Sequence, residues 1–118
     1  MSDDPDDMWF GDDDDESGTA VEDDWSLTPL RDEIDGVDAK IVALLGQRFA
    51  LTREVGEIKA NRGLPSRDAI RESHQRLRLA LLAEEQGIDA ATVLRVFDVI
   101  IDRVVDEHED IKKSKAHG

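Results

Sequence analysis

Apolar residues recur between positions 30 and 58 at alternating spacings of four and three, and one arginine takes a place in the series. This heptad pattern predicts one long α-helix of the coiled-coil type, with a cation at a position that faces a core. A buried guanidinium is costly unless an anion meets it, so a carboxylate partner or an anionic ligand should lie in that core. The series consists of Leu30, Ile34, Val37, Ile41, Leu44, Arg48, Leu51, Val55 and Ile58.

A second cation, Lys59, follows Arg48 after 11 residues. At about 100° per residue, 11 residues of helix return to within roughly 20° of the same direction. We therefore predict that the two cations face one groove.

Acidic residues are concentrated at the N-terminus. Residues 1–26 contain 12 Asp and Glu and no Lys or Arg, whereas residues 27–118 contain 17 acidic and 15 basic residues, so the net charge of −14 divides into −12 and −2. The N-terminal segment has too few apolar side chains to offset the entropy lost on ordering. We predict a disordered acidic tail over 1–26, a helical domain over 27–113 and a flexible C-terminal end over 114–118.

Composition also limits the location and the partners. The chain has no run of about 18 apolar residues, and its N-terminus lacks the positive flank and apolar stretch of a signal peptide. It contains no cysteine, which excludes disulfides, zinc–thiolate sites and a thiol nucleophile. Its negative charge argues against nucleic acid. We expect a cytoplasmic protein that binds neither membrane nor nucleic acid.

Capping and breaking residues divide the rest of the chain into three helices. Thr28 and Pro29 suit the start of the first helix and the Gly-Leu-Pro sequence at 63–65 suits its end, which predicts a helix over about 29–61. Only very short stretches alternate with the period of a strand, so we assign no strands. The fold class is therefore predicted to be all-α.

The two shorter helices have their own signals. Ser66 or Asp68 is predicted to cap the second helix, which should end near Gly87, and Asp89 is predicted to cap the third. The apolar residues of the second helix that we expect to face inward are Ile70, Leu77 and Leu81. The third helix carries a broad apolar stripe over 93–105 and lysines near its end.

The length of the first helix bears on assembly. A helix of 33 residues is about 50 Å long, whereas a compact domain of this size has a radius of gyration of about 12 Å. One chain therefore cannot cover the whole apolar series. We predict an intertwined homodimer in which two copies share a core.

Four segments of the sequence together resemble the all-helical chorismate mutases. They are residues 30–35 (LRDEID), 44–48 (LLGQR) and 54–59 (EVGEIK), followed by Asp68 with Arg71 and Glu72. Their order and spacing match the family from residue 27 to about residue 108. The resemblance implies three helices per chain in an intertwined homodimer with shared active sites, and the rearrangement of chorismate to prephenate in aromatic amino-acid biosynthesis. It implies neither a cofactor nor a metal.

The chemistry of that rearrangement needs few groups. The substrate carries two carboxylates, and in its cyclic transition state the breaking carbon–oxygen bond leaves negative charge on the ether oxygen, while no proton moves. Clamping both carboxylates and placing a cation or donor at the ether oxygen can therefore provide the catalysis.

The resemblance also implies roles for particular residues. Arg48 would bind one carboxylate, and Lys59 would bind a carboxylate and the ether oxygen. Glu72, with the backbone at Asp68, would bind the ring hydroxyl, and Arg71 would orient Asp68 or approach the ligand.

Arg31 would enter the active site from the other subunit. Arg31 and Arg48 are 17 residues apart, which in a straight helix is about 25 Å along the axis and about 100° in direction. The two arginines cannot converge within one such helix.

Two positions depart from the family pattern. Where the family commonly has a serine and, four residues later, a glutamine or glutamate, this chain has Val104 and His108. Val104 cannot hydrogen-bond a carboxylate. His108 could donate a hydrogen bond to the ether oxygen, either as a neutral tautomer or as imidazolium.

Other interpretations stay open at this point. Arg48 could pair with a buried acid, and residues 68–72 could form an ordinary cluster of salt bridges at a helix start. The same scaffold also serves isochorismate-pyruvate lyases. A third possibility is a non-catalytic dimeric module that regulates another enzyme of the shikimate pathway.

Overall fold

The computed structural model describes residues 25–117, so most of the predicted acidic tail, residues 1–24, lies outside the described residues. The described part consists of three α-helices and contains no strand: α1 (Leu27–Arg62), α2 (Ala69–Gln86) and α3 (Ala90–His117). The prediction of an all-α fold with a long first helix is confirmed. None of the described helices is long and apolar enough to cross a membrane.

Helix α1 extends slightly beyond its predicted limits. Residues 25 and 26, which the prediction assigned to the tail, form a turn ahead of the helix, and the amide of Thr28 donates to the carbonyl of Trp25. At the other end Gly63 adopts φ 66°, a left-handed conformation that costs glycine little. The amide of Leu64 then donates to the carbonyl of Lys59 at 2.9 Å, which closes the helix.

Helix α2 begins and ends at the residues that the sequence indicates. Asp68, rather than Ser66, is the N-cap, because its carboxylate accepts a hydrogen bond from the amide of Arg71 at 3.0 Å. Gly87 is the C-cap at φ 71°, and the amide of Ile88 donates to the carbonyl of Ala83.

Helix α3 also begins as predicted but ends later. Asp89 caps it by accepting from the amide of Thr92 at 3.0 Å. The helix continues through residues 114–117, which we had expected to be a flexible end. An ion pair of 2.9 Å between Lys115 and Glu57 and the favourable position of lysines near a helix C-terminus account for the extra turn.

The chain divides within α1 into two compact units, one ending at Ala43 and the other beginning at Leu44. In the first unit, the apolar series is about half exposed: Leu30, Ile34, Val37 and Ile41. In the second unit, a small core includes Leu79, Ala83 and Ile100.

The predicted inward face of α2 is wrong for the single chain. Ile70, Leu77 and Leu81 are 72%, 64% and 53% exposed, whereas Leu79 and Ala83 are buried. Residues 79 and 83 are one turn apart and share a face, and the other apolar residues of α2 lie on sides that α3 does not cover. Because apolar residues occur around most of α2, their positions in the sequence do not indicate which side of the helix packs against α3.

Candidate active site

A cavity of about 330 Å³ lies within the second unit. Its walls come from the second half of α1, the loop after it, the first half of α2 and the second half of α3. The lining residues are Arg48, Thr52, Val55, Lys59, Ser66, Asp68, Arg71, Glu72, Gln75, Ile101, Val104, Val105 and His108.

Six of the seven predicted site residues line this one cavity: Arg48, Lys59, Asp68, Arg71, Glu72 and His108. The spacing argument for Arg48 and Lys59 is thereby confirmed, since both side chains face the same space. The seventh residue, Arg31, belongs to the unit that ends at Ala43.

Arg48 is a cation that meets no anion among the described residues. Its Nη1 atom is buried and has no hydrogen-bond partner, and its guanidinium lies 5.7 Å from the centre of the Phe97 ring. Within residues 25–117 no carboxylate forms an ion pair with it. Burial, and secondarily the nearby charge of Arg71, lower the pKa of Arg48. Of the two partners that the sequence left open, residues 25–117 supply no carboxylate, which favours an anionic ligand.

Lys59 contacts two polar groups, neither of which is a carboxylate. Its Nζ donates to the main-chain carbonyl of Ser66 at 2.9 Å and lies 3.4 Å from Nδ1 of His108. Neither contact neutralises the ammonium, so its positive charge remains available to a ligand in the cavity.

His108 is almost fully buried at 2% exposure, and both of its ring nitrogens are engaged. Nε2 lies 2.8 Å from the main-chain carbonyl of Thr52, and Nδ1 contacts Lys59. The ring therefore has no free N–H for the hydrogen bond to a substrate oxygen that the sequence suggested.

Gly56 makes room for this ring. A Cβ atom at position 56 would lie 2.6 Å from Cδ2 of His108 and 2.9 Å from Cδ1 of Ile111, both closer than real contacts allow. The absence of a side chain thus permits α3 to approach α1 at the cavity.

The two carboxylates at the start of α2 have partners of their own. Asp68 caps the helix, and Glu72 accepts from Arg67 at 2.6 Å, while Arg67 also donates to Asp102 of α3 at 3.1 Å. Hydrogen bonding to Asp102, followed by the charge of Glu72, raises the pKa of Arg67. The helix-start cluster that the sequence allowed is therefore present, and it borders the cavity.

Sequence reasoning missed four contributors. Gln75 had a usable signal, because it lies seven residues after Asp68 and hence on the same face of α2. Arg67 had no signal in the sequence other than its charge. The carbonyls of Thr52 and Ser66 belong to the main chain, which no side-chain pattern reveals.

Fold and site together define an all-helical domain with a cationic cavity of a size suited to a small anion. Residues 30–109 match the family model for chorismate mutase type II. The chain belongs to this family, and it is an enzyme of the isomerase class. The resemblance inferred from the sequence is thus confirmed.

Two of the individual relatives described next carry chorismate mutase in their names. The chain is 33% identical over 76 residues to a chorismate mutase of Methanocaldococcus jannaschii, an alignment that covers 64% of this chain and 77% of the relative. It is 38% identical over 76 residues to a bifunctional chorismate mutase/prephenate dehydratase of Escherichia coli K12, covering 64% of this chain and 20% of that protein. A T-protein of Enterobacter agglomerans is 54% identical over 39 residues, which cover 33% of this chain and 10% of that protein.

Proposed function

We propose that this protein converts chorismate to prephenate by holding the substrate's two carboxylates and stabilising charge on its ether oxygen. The observation that carries the proposal is the buried Nη1 of Arg48, which has no hydrogen-bond partner among the described residues and belongs to a side chain that lines a cavity with Lys59. A dicarboxylate would supply the missing acceptor. The relatives named for this reaction support the choice of substrate.

The proposed reaction is intramolecular. One carbon–oxygen bond breaks while one carbon–carbon bond forms, and no proton or external group is transferred. Arg48 holds one carboxylate, and Lys59 binds a carboxylate and the ether oxygen. Preorganised cations in a partly enclosed site are effective because they need no reorganisation when the charge develops.

Glu72 and Asp68 are proposed to hold the ring hydroxyl, Glu72 through its side chain and Asp68 through its backbone. The ion pair with Arg67 fixes one oxygen of Glu72 and leaves the other carboxylate oxygen to accept from the hydroxyl. Arg71, which adds positive charge beside Arg48, attracts the anionic substrate.

The dimer is part of the proposal, because the apolar series is largely exposed within the described residues. Leu44 and Leu51 in the second unit are 61% and 63% exposed, and the series in the first unit is about half exposed. A second copy would bury these side chains, which is the usual solution for a heptad pattern. Arg31 would then reach the partner's cavity. The cytoplasmic location and the domain limits 27–113 stay predictions from the sequence.

Parallel assays with chorismate and isochorismate test the proposal. The purified full chain should form prephenate from chorismate and should release no pyruvate from isochorismate. Pyruvate release from isochorismate alone would identify a lyase instead. Turnover of neither substrate by a folded dimer would favour the non-catalytic module.

A further inference from the structure

His108 is the largest fully buried side chain in the described part of the molecule, yet it is polar and lies at the wall of the cavity. Its Nε2 is 2.8 Å from the carbonyl oxygen of Thr52, and its Nδ1 is 3.4 Å from Nζ of Lys59. A buried polar ring with both nitrogens engaged is a fixed element of the site, because rotating it would leave both contacts unmade.

These two partners determine where the ring proton lies. A carbonyl oxygen can only accept, so Nε2 of His108 must carry a hydrogen. An ammonium can only donate, so Nδ1 must be bare. The neutral Nε2–H tautomer is the one arrangement that satisfies both neighbours, since imidazolium would set an N–H against the ammonium of Lys59.

The anchor of this arrangement is the main chain of α1. The contact with the Thr52 carbonyl is the shorter of the two, and it orients the ring, whereas the 3.4 Å contact with Lys59 is at the long end for a hydrogen bond. Gly56, one turn after Thr52, lacks the Cβ that would collide with the ring. The close approach of α3 to α1 is therefore needed for His108 to reach the carbonyl.

The ring of His108 helps to orient the ammonium group of Lys59. An ammonium has three donors; one goes to the carbonyl of Ser66 at 2.9 Å and a second faces Nδ1 of His108. Both acceptors are uncharged, so they orient the ammonium without offsetting its charge. A carboxylate in place of His108 would form an ion pair and reduce the charge that Lys59 offers to an anion.

We propose that His108 is a positioning residue which, held as the Nε2–H tautomer by the Thr52 carbonyl, directs the ammonium of Lys59 into the cavity. Its catalytic consequence rests on the proposed function, whereas its proton arrangement does not. His108 acts through Lys59 and does not touch the substrate.

The proton arrangement is measured by NMR on the full chain with ¹⁵N-labelled histidine, using long-range couplings between ring nitrogens and ring protons. The His108 signals, assigned by their loss in His108→Gln, should show a bare Nδ1 and a protonated Nε2 at neutral pH. Lys59→Met should shift the Nδ1 resonance, whereas Lys40→Met, which changes an exposed lysine of the same helix, should not. A protonated Nδ1, or an Nδ1 resonance indifferent to Lys59→Met, overturns the proposal.

The catalytic consequence is measured with two substitutions of His108. Glutamine can donate to the Thr52 carbonyl and accept from Lys59, so His108→Gln should retain kcat within a few-fold. Leucine can do neither, and we expect kcat to fall roughly 10-fold to 100-fold through misplacement of Lys59. His74→Leu, at an exposed position of α2, should leave kcat unchanged.

Equal kcat for folded His108→Leu and wild-type protein, or an equal loss in His108→Gln and His108→Leu, contradicts the positioning role. If wild-type protein turns over neither substrate, the proposed function fails, and the NMR measurements alone then decide whether His108 directs Lys59.

Discussion

Arg48 shows at the scale of one residue how an unfavourable burial indicates a ligand. A guanidinium removed from water without a matching carboxylate is destabilising, and Nη1 of Arg48 is buried without a hydrogen-bond partner in the part of the chain that the structure describes. Stacking over Phe97 offsets only a small part of that cost. Burial, and secondarily the charge of Arg71, also lowers the pKa of Arg48, as expected when the charged form lacks stabilisation. A bound carboxylate would offset the cost of burying the guanidinium and would raise the pKa of Arg48 again.

Arg48→Ala is therefore expected to lower turnover of chorismate by roughly 100-fold or more, the scale seen when a preorganised electrostatic contact is removed. The helix content should be unchanged. Because the buried Nη1 of Arg48 has no acceptor within residues 25–117, the free energy of unfolding should not fall. Steady-state kinetics and denaturant unfolding measure both quantities.

Arg78→Ala is the matched control, since Arg78 is an exposed arginine of α2 that does not line the cavity. It should leave turnover unchanged. Near-normal activity of Arg48→Ala would show that Arg48 does not hold the substrate.

The sequence predicted much of the site at this scale because helical spacing places residues 48 and 59 on one face, and the cavity contains both. It did not predict what His108 contacts. The partner of His108 is a main-chain carbonyl 56 residues away in the sequence, and only the packing of α3 against α1 brings them together.

At the scale of helices, both ends of α2 and the start of α3 were predictable, whereas the C-terminal limit of α3 and the packing faces were not. Asp68, Gly87 and Asp89 cap their helices as expected, because capping depends on residues within one turn of the chain. The inward face of α2 depends instead on which neighbours are present. Ile70 and Leu77 are exposed in the single chain, although a partner subunit could bury them.

The cap of α3 should make stability depend on pH. The carboxylate of Asp89 accepts from the hydroxyl of Thr92 at 2.7 Å and from its amide at 3.0 Å, and these two bonds lower the pKa of Asp89. A carboxylate with a lowered folded pKa stabilises the fold above its unfolded pKa of about 3.8, and this contribution is lost as the pH falls through the folded value. Asp89→Ala should accordingly lower Tm at neutral pH by an amount that shrinks in acid.

Thermal unfolding followed by circular dichroism measures this difference across the pH range. Asp89→Asn is the control, because asparagine also caps helices well but carries no charge. It should keep most of the stability of the cap and lose the pH dependence. A difference between wild type and Asp89→Ala that is the same at neutral and acidic pH would contradict the assignment.

Gly56 tests the close approach of α1 and α3. Gly56→Ala places a Cβ 2.6 Å from the His108 ring, and ring atoms cannot move away as a flexible chain end can. Overpacking of this kind should lower the free energy of unfolding by about 1–3 kcal/mol and, by displacing His108, should also reduce turnover.

Gly46→Ala is the comparison, because a Cβ at residue 46 meets nothing within 4 Å. Replacing glycine by alanine within a helix should there raise the free energy of unfolding by about 0.5–1 kcal/mol. Equal stability of the two variants in urea unfolding would show that the approach at Gly56 is looser than the structure indicates.

At the scale of the whole molecule, the uncovered apolar series and the placement of Arg31 point to the same proposed assembly. The cavity contains every predicted site residue except Arg31, which lies on the first unit. In an ideal helix, 17 residues separate Arg31 from Arg48 by about 25 Å, too far for both side chains to hold one small substrate. The proposed intertwined dimer would resolve this, because the first half of one α1 could then lie against the second half of the other.

Mixing two inactive variants tests whether the sites are shared between subunits. In the Arg31→Ala homodimer both pockets lack Arg31, and in the Arg48→Ala homodimer both pockets lack Arg48. Each homodimer should therefore be nearly inactive. In a mixed dimer, one pocket lacks both arginines and the other keeps both. Random exchange of equal amounts makes about half of the dimers mixed, each with one intact pocket, so activity should recover to about a quarter of wild type if the pockets act independently.

Subunit exchange itself must be shown, for example by native mass spectrometry of chains that differ in isotope labelling. Each variant incubated alone under the same conditions gives the baseline. Recovery requires that Arg31 of one chain serves the pocket of the other chain. If both arginines served their own chain's pocket, one pocket of the mixed dimer would lack Arg31 and the other would lack Arg48. Exchange without any recovery of activity would therefore show that Arg31 does not cross the interface.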